Sequence, residues 1–357
     1  MSDVRRLISE SAERIFREGC DAECVEAAEQ GTWPEQLWSA LEESGLTLVA
    51  VPEELGGAGG SLGDALAVLR QAGRHAVPLP LAETFLAGHV LSQAGLKVGI
   101  GPMTVAPVRP DDRLRVHRDG DLWRLSGTAR DVPWARQADK VVLAYDEHNR
   151  AHVAVIGEGE CAIEPSCNLA GEPRDKVTFA GTALDAQRVT ALNADAHDDE
   201  LIRLGALARS VLMAGSLETV LALTVQHARE RSQFGRPIGK FQAIQQQLAV
   251  LAGETAAAAR ATDLAIDAME RQGSRTEIAV AKARVGEAAG VCAEISHQLH
   301  GAIGFTREHE LHCHTRRLWS WRDEFGHEVY WQQELGRAVA ERGPAGLWTI
   351  IAQATTE

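Results

Sequence analysis

Two short segments carry side chains whose types and spacing could bind a charged ligand. The first is RSQFGRPI at 231–238, where an arginine comes at the end of a long helical pattern. A guanidinium can bind a phosphate group with two parallel hydrogen bonds, so Arg231 is a candidate anion-binding residue. The alternative is that Arg231 interacts only with the partial negative charge of the helix C-terminus, which is worth about 0.3–1 kcal/mol. The residues around Arg231 are needed to distinguish the two roles.

The second segment is QLHGAIGF at 298–305. Small residues such as Gly301 and Gly304, with Gln298 beside them, let backbone amides approach a phosphate or an adenine ring closely. Glycines are equally needed where a helix ends in a left-handed turn. We expect both interpretations to hold, because one turn would serve both purposes.

A third segment, EHELHCH at 308–314, has the residue types of a metal site. In a helix, His309 would share a face with His312 or Cys313. Zinc sites need three or four convergent ligands and an oriented second layer of hydrogen bonds, which this spacing alone does not supply. We therefore expect no metal here.

The composition is that of a globular protein with a large core. The chain has 357 residues, of which 45% are hydrophobic and 24% charged, and its formal net charge is −14. A diffuse negative charge repels phosphate backbones, so nucleic acid is not expected as a partner. The same charge does not exclude a phosphate-bearing cofactor, which needs only a local cation or a helix N-terminus.

The cysteines and the N-terminal residues bear on the compartment. The six cysteines show no CxxC spacing and are expected to be reduced thiols, which indicates a cytoplasmic protein. Residues 1–6 lack the apolar segment of a secretory signal, and no run of 18 apolar residues occurs. We therefore expect neither a signal peptide nor a membrane span.

Helices must position the chemically interesting segments. Apolar residues recur at helical spacing over 4–16, 36–44, 62–73, 81–94, 201–229, 241–272, 275–300 and 327–342. Ser61 and Asp64 have the spacing of a capping box before the third of these helices. The last four helices have short connections and are expected to form an antiparallel bundle.

Between the two helical regions the pattern changes to short runs typical of strands. These runs lie at 105–108, 113–117, 122–125, 141–144, 152–156, 177–179 and 188–190. Asp119-Gly120 marks a hairpin turn between the second and the third run. We expect a small antiparallel β-domain, and three domains in all, at 1–102, 103–194 and 195–357.

In these segments the chain resembles the acyl-CoA dehydrogenase family. The similarity covers nearly the whole length and rests mainly on 231–238, followed by Phe241-Gln242, and on 298–305. VPEELGGAG at 51–59, and LSGT at 125–128 followed by ADKVV at 138–142, are weaker matches. The resemblance implies a mainly α fold with an N-terminal helical domain, a small central antiparallel β-domain and a C-terminal four-helix bundle.

The resemblance also implies which residues meet the cofactor, FAD. In this family the arginine and the phenylalanine of the first segment contact the FAD of a neighbouring subunit. By resemblance, Arg231 is assigned to the pyrophosphate and Phe234 to packing on the cofactor. The other residues that the resemblance places at the cofactor are Gln233, Ile238, Phe241, Gln298, Gly301 and Gly304.

The sequence departs from the family at the catalytic base. Dehydrogenation of an acyl-CoA thioester needs a carboxylate to remove the α-proton while the flavin takes the β-hydride. The two positions that the family uses for this base correspond to Phe325 and Ala208, and neither side chain can accept a proton. Glu324, one residue away from the first position, is the candidate base. The alternative is that Glu324 is a solvated carboxylate in the charged run RDE at 322–324.

The β-domain departs from the family as well. The tryptophan and the threonine that cover the flavin ring correspond to Asp131 and Pro133, with Trp134 displaced, and the loop beside the flavin is shortened to 106–108. Some members of the family, notably those acting on steroid side chains, combine two different subunits. One subunit supplies the base and the other completes the cofactor site, and this chain fits the second role.

Three functional hypotheses follow. The first is an FAD-dependent acyl-CoA dehydrogenase that acts on an acyl-CoA, as a homo-oligomer or with a second subunit of the family, with Glu324 or a partner's residue as the base. The second is a non-catalytic subunit that shares FAD with a partner chain. The third is a related flavin monooxygenase, which needs no glutamate base. The acyl group and the electron acceptor stay unassigned.

Overall fold

The computed structural model describes residues 3–109, 111–192, 197–271 and 275–343. Within these residues the chain divides into two compact units. The first unit takes in Met1–Val68 and Pro78–Gly205, and the second takes in Leu69–Val77 and Ala206–Glu357. The order along the chain is helices, then strands, then helices, as the hydrophobic pattern predicts.

The N-terminal region is helical. Its helices are α1 (Asp3–Gly19), α2 (Ala22–Glu29), α3 (Glu35–Glu43), α4 (Leu62–Arg74) and α5 (Leu81–Gln93). The predicted capping box before α4 forms, because Ser61 N–H donates to Asp64 Oδ2 at 2.9 Å and Asp64 N–H donates to Ser61 Oγ at 3.2 Å. The pattern missed α2, which is only 8 residues long and therefore too short for a clear period.

The strands of the first unit form one eight-stranded sheet. They are β1 (Met103–Ala106), β2 (Arg115–Asp119), β3 (Leu122–Pro133), β4 (Asp139–Tyr145), β5 (Ala151–Ile156), β6 (Ala162–Glu164), β7 (Arg174–Asp185) and β8 (Val189–Ala191). Hydrogen bonds join them in the order β6-β7-β3-β2-β4-β5-β8, with β1 beside β4. The predicted hairpin joins β2 to β3, with Asp119 opposite Leu122.

The sheet is mixed, whereas the sequence predicted a small antiparallel β-domain, so the prediction did not include its parallel pairs. Both β1 and β2 pair with β4 in parallel, and the other neighbours are antiparallel. A parallel pair needs a crossover connection, and here the β2–β3 hairpin lies between β1 and β4 along the chain. Strand spacing in the sequence does not show which strands become neighbours, and so it could not reveal this pairing.

The second unit is built mainly of helices. They are α6 (His197–Glu230), whose first turns belong to the first unit, α7 (Gln242–Glu270), α8 (Arg275–His300), α9 (Leu311–Asp323) and α10 (Glu328–Arg342). A short hairpin of β9 (Ser232–Gln233) and β10 (Arg236–Pro237) separates α6 from α7. The pattern missed α9 because its buried face includes His314, Thr315 and Arg317, which do not register as apolar.

Two glycines allow the end of α4 to lie directly against α6 in the second unit. A Cβ on Gly73 would stand 2.0 Å from Leu212 O, and a Cβ on Gly215 would stand 2.1 Å from Arg70 O. Any side chain would overlap the facing backbone, so both positions require glycine. Glu218 pairs with Arg74 at 2.5 Å beside this crossing.

One long apolar helix of the described residues lies mostly inside the protein. The stretch Glu200–Glu230 of α6 is long and apolar enough to cross a membrane, judged by length and composition alone. However, 72% of its most apolar window is buried. This burial is typical of a helix that packs in a protein core.

Candidate active site

The two segments expected to meet the cofactor border one cavity of about 760 Å³ in the second unit. The cavity lies among the C-terminal end of α6, the β9–β10 hairpin, the start of α7 and the C-terminal end of α8. Seven of the predicted cofactor residues border it: Arg231, Gln233, Phe234, Ile238, Phe241, Gln298 and Gly301. The fold thus brings together residues that are about 60 positions apart in the sequence.

Arg231 is the first residue after α6, and it is exposed. Its backbone N–H donates to His227 O at 2.9 Å, and its carbonyl accepts from Ile238 N–H at 2.8 Å, so the base of the hairpin is fixed. Within the described part of the chain, its guanidinium has no carboxylate or carbonyl partner. A cation of this kind beside an open cavity is available to bind an anion.

The tip of the β9–β10 hairpin presents an aromatic side chain. Phe234 is 92% exposed, and its φ of +51° is strained for a bulky residue, at a cost of order 1–3 kcal/mol. With Gly235 at φ +80°, it forms a tight two-residue turn. Arg236 Cζ lies 4.2 Å from the ring centroid of Phe241. An exposed ring held in a strained turn is typical of a surface that receives a ligand or a partner.

The two glycines after α8 play different structural roles. Gly301 ends the helix with φ +65°, and among the described residues no atom outside its chain neighbours lies within 4 Å of the place where its Cβ would stand. Gly304 is buried, and its Cβ would lie 2.9 Å from His300 Cβ and 3.1 Å from Leu311 Cδ2. Gly304 therefore serves the packing of the turn, and among the predicted cofactor residues it is the one that does not border the cavity.

Two histidines that the sequence analysis did not single out also border the cavity. The rings of His227 and His300 stack with their centroids 4.4 Å apart. Burial lowers the pKa of both, that of His300 to about 4. His300 Nδ1 donates to Ser296 O at 2.8 Å, so the neutral ring keeps Nε2 as an acceptor. The sequence could have indicated both histidines, because His227 lies one helical turn before Arg231 and His300 lies between Gln298 and Gly301.

Glu324 lies at the C-terminal end of α9, next to a buried arginine. Its Oε2 accepts from Arg209 Nε at 2.6 Å. The side chain of Glu324 is 18% exposed and that of Arg209 is 2% exposed. The guanidinium also lies over the ring of Phe325, with Cζ 5.5 Å from the centroid. The two positions that correspond to the family's base, Phe325 and the residue before Arg209, thus belong to one place in the fold. Glu324 is the carboxylate beside them.

The positions that correspond to the family's flavin-covering residues are engaged within the first unit. Asp131 lies at a β-bulge of β3, where its φ is +53°. It forms an ion pair with Arg109. Trp134 is only 5% exposed and packs edge-on against Trp33, with ring centroids 6.4 Å apart. Asp131 and Trp134 therefore have partners within this unit, and Trp134 contributes to its packing.

The histidine-rich segment at 308–314 makes hydrogen bonds within the protein. His309 Nδ1 accepts from Leu311 N–H at 3.1 Å, and buried His314 is hydrogen-bonded through Nδ1 to Ser216 Oγ at 3.0 Å. Burial, with a contribution from Arg317, lowers the pKa of His314 to about 3, so its ring is neutral. Among the described residues, no group of three or more His, Cys, Asp or Glu side chains could hold a metal ion.

Comparison with known families and proteins gives matches along most of the chain. Residues 2–97 match the N-terminal domain of acyl-CoA dehydrogenases, and residues 200–322 match the C-terminal domain. The acyl-CoA dehydrogenase IpdE2 of Mycobacterium tuberculosis is 31% identical over 326 residues, which cover 88% of this chain and 91% of that protein.

Solved structures show the same fold. The ChsE4–ChsE5 complex from Mycobacterium tuberculosis matches with a TM-score of 0.87 at 23% identity, over 96% of this chain and 98% of that chain. The Tcur3481–Tcur3483 steroid ACAD matches with a TM-score of 0.83 at 26% identity, over 95% and 98% of the two chains. These matches confirm the predicted fold class. Together with the two domain matches, they show that this chain belongs to the acyl-CoA dehydrogenase family of flavoprotein oxidoreductases.

Proposed function

We propose that this chain binds FAD and carries out the α,β-dehydrogenation of an acyl-CoA thioester, with Glu324 as the base. The proposal rests on the ion pair between Glu324 and buried Arg209, which lies beside the two positions that correspond to the family's base. Glu324 takes the proton from the α-carbon, and the electron pair of that C–H bond forms the new double bond. Bound FAD would supply the acceptor for the hydride that leaves the β-carbon.

Arg209 supports this role by orienting the carboxylate. The guanidinium is almost completely buried and donates from Nε at 2.6 Å, so the side chain of Glu324 is held in one direction. A base must be placed to within about 1 Å, because larger errors cost the reaction heavily. An arginine fixed in the core can hold a carboxylate with that accuracy.

The cavity beside Arg231 fits the pyrophosphate part of FAD. The fit rests on a guanidinium without a protein partner among the described residues, the exposed amides of Gln233 and Gln298, and the open space at Gly301. Because the resemblance assigns Arg231 to the FAD of a neighbouring subunit, we also propose assembly with a second subunit. That subunit is either a copy of this chain or another member of the family.

A second candidate function is that of a subunit whose partner supplies the base. Phe325 occupies the family's usual base position, and the carboxylate of Glu324 is already engaged by Arg209. Moreover, one of the two similar structures described above is the ChsE4–ChsE5 complex, and the other, Tcur3481–Tcur3483, is a steroid ACAD. On this hypothesis the partner carries the base, and the acyl group belongs to a steroid side chain.

Anaerobic titration of the purified chain with acyl-CoAs tests the proposal, with the visible absorbance of the flavin as the readout. We expect bleaching by a suitable acyl-CoA and none in Glu324→Gln. The matched control is Asp323→Asn, which neutralises the exposed neighbouring carboxylate and should bleach normally. Normal bleaching in Glu324→Gln would show that another residue is the base.

A chain that is colourless, or yellow but inert, would favour the second candidate. Co-expression with a second acyl-CoA dehydrogenase-like chain should then restore both the flavin spectrum and its bleaching. In that complex Glu324→Gln should leave the bleaching unchanged.

A further inference from the structure

The turn that links α9 to α10 has a strained backbone. Phe325 and Gly326 adopt φ values of +53° and +92°, and Glu324 comes directly before them. A bulky residue in the left-handed region costs of order 1–3 kcal/mol. Such a turn keeps its conformation only where the surrounding side chains hold it.

Lys282 of α8 holds both ends of this turn. Its Nζ donates to Arg322 O at 2.6 Å and to Gly326 O at 2.8 Å. Arg322 lies in the last turn of α9, where carbonyls have no partner within the helix, so the ammonium satisfies a group that would otherwise be unpaired. The bridge spans residues 323–325 and therefore fixes the segment that carries Glu324.

Two further helices hold the same turn. From α10, Trp331 Nε1 donates to Phe325 O at 3.1 Å. From α6, Arg209 Nε donates to the carboxylate of Glu324 at 2.6 Å. The position of the carboxylate is therefore set by contacts from three helices, and Lys282 is the contact that α8 contributes.

The face of α8 around Lys282 is shaped to receive this turn. Gly286 and Gly290 follow at four-residue spacing and so lie on the same face of the helix. A Cβ on Gly286 would stand 3.2 Å from Glu328 Cβ, and a Cβ on Gly290 would stand 3.7 Å from Arg322 Nη1. The two glycines leave room for the Arg322–Glu328 ion pair, and Lys282 then reaches the carbonyls beside it.

The chemistry of Lys282 suits a donor to carbonyl groups. The side chain is completely buried, and both of its hydrogen-bond acceptors are backbone oxygens. Burial lowers its pKa to about 7. The charged groups that face it are Glu324, Arg209, Asp323 and Arg322. A methionine would fill a similar volume without the desolvation penalty, so what the lysine adds is its N–H donors.

We propose that Lys282 is a positioning residue for the base: by binding both ends of the α9–α10 turn, it sets the place from which the carboxylate of Glu324 reaches the α-proton. The proposal rests on the proposed function. Lys282 acts through the turn and does not touch the substrate. Its loss is expected to affect the chemical step more than acyl-CoA binding.

The test compares Lys282→Met with Lys282→Gln in the FAD-loaded enzyme, with rates expressed per bound flavin. The methionine variant should keep KM for acyl-CoA within about twofold, while kcat falls by about 10- to 100-fold. The glutamine variant retains N–H donors and should recover most of kcat. A merely structural role would lower the yield or the thermal midpoint without this split between kcat and KM.

The matched control is Arg275→Met, which removes an exposed cation of α8. This arginine pairs with Glu334 on α10, and its loss should leave both constants unchanged.

Each outcome has a distinct meaning. Wild-type kcat in Lys282→Met, alongside an inactive Glu324→Gln, would overturn the role of Lys282 and leave the proposed function intact. Wild-type kcat in Glu324→Gln would overturn the proposed base, and the positioning role would fall with it. If Lys282→Met does not fold, Trp331→Phe removes a different side-chain donor to the backbone of the same turn. An unchanged kcat in that variant would show that the anchoring of the turn does not set the reactivity of Glu324.

Discussion

At the scale of single residues, buried basic side chains surround Glu324. Arg209 and Lys282 are both excluded from solvent, and both donate to the segment 322–326. Removing one partner of a buried ion pair leaves an uncompensated charge, whereas removing both partners avoids that penalty. The Arg209–Glu324 pair should therefore show a large coupling energy.

Arg209→Met is expected to lower the free energy of unfolding by roughly 3 kcal/mol, because the carboxylate of Glu324 loses its buried partner. The double variant Arg209→Met with Glu324→Gln should recover part of this loss. Urea denaturation of the two single variants and the double variant measures the coupling. Strictly additive effects would mean that the two side chains do not interact in solution.

The buried His314 should make the protein sensitive to acid. Its pKa is about 3 in the folded protein and near the ordinary value of 6.5 in the unfolded chain. The unfolded state therefore binds more protons between these values, and the stability contributed by the neutral ring is lost as pH falls from about 6.5 towards 3. His314→Asn keeps a hydrogen-bonding group near Ser216 without a titrating ring, so its thermal midpoint should fall less steeply with acid. Exposed His148→Asn is the control and should follow the wild type.

At the scale of elements, close helix contacts depend on single glycines. The crossing of the end of α4 and α6 requires Gly73 and Gly215, and the approach of α8 to α10 uses Gly286. At Gly73 and Gly215 a substitution forces the two backbones apart, because the facing atoms are main-chain atoms that cannot rotate away, whereas Gly286 faces the side chain of Glu328. Glycines on open helix surfaces have the opposite effect, since there they only lower helix propensity.

Gly215→Ala should destabilise the protein by about 3 kcal/mol or more, because its Cβ would lie 2.1 Å from Arg70 O. The control is Gly336→Ala in α10, where no neighbouring atom of the described residues lies within 4 Å of the Cβ position. This control should stabilise the protein by about 0.5–1 kcal/mol. Urea denaturation of both variants measures the two effects. Equal stability of Gly215→Ala and the wild type would mean that the two helices are farther apart than described.

At the scale of the whole molecule, the cavity beside Arg231 depends on residues that are distant in the sequence. It receives side chains from the α6–α7 region and from the end of α8. The guanidinium of Arg231, which has no carboxylate or carbonyl partner among the described residues, is exposed beside it. Because the formal net charge of −14 repels an anionic cofactor, a local cation is needed to bind one. The three-domain division and the cytoplasmic location stay predictions.

Arg231→Met is expected to weaken FAD binding by at least about tenfold, since a charge-assisted hydrogen bond contributes about 1.5–3 kcal/mol. Arg231→Lys should lose less, because it keeps the charge but not the forked geometry. The ratio of flavin to protein absorbance after dialysis measures the retained cofactor. Arg229→Met is the control, because it removes an exposed cation two residues earlier that does not border the cavity. Equal loss of FAD in both variants would indicate a general charge effect.

The sequence by itself determined the class of the fold and most of its elements. Long helices, the strand region between them and the capping box at Ser61 follow from local spacing and local hydrogen bonds, which residues near in sequence can specify. It also predicted seven residues that border the cavity. It missed α2 because that helix is short, and α9 because that helix buries polar side chains.

Only the tertiary structure decided which distant residues meet. The parallel pairing of β1 with β4, the Arg209–Glu324 pair and the bridge from Lys282 to the α9–α10 turn each join segments far apart in the sequence. Such contacts depend on how elements pack, and periodicity within a segment carries no information about the segment it faces. In the sequence, Lys282 is one lysine within an alanine-rich helix. Its complete burial, which gives it a role at the candidate site, arises only when α8 packs against the turn that follows α9.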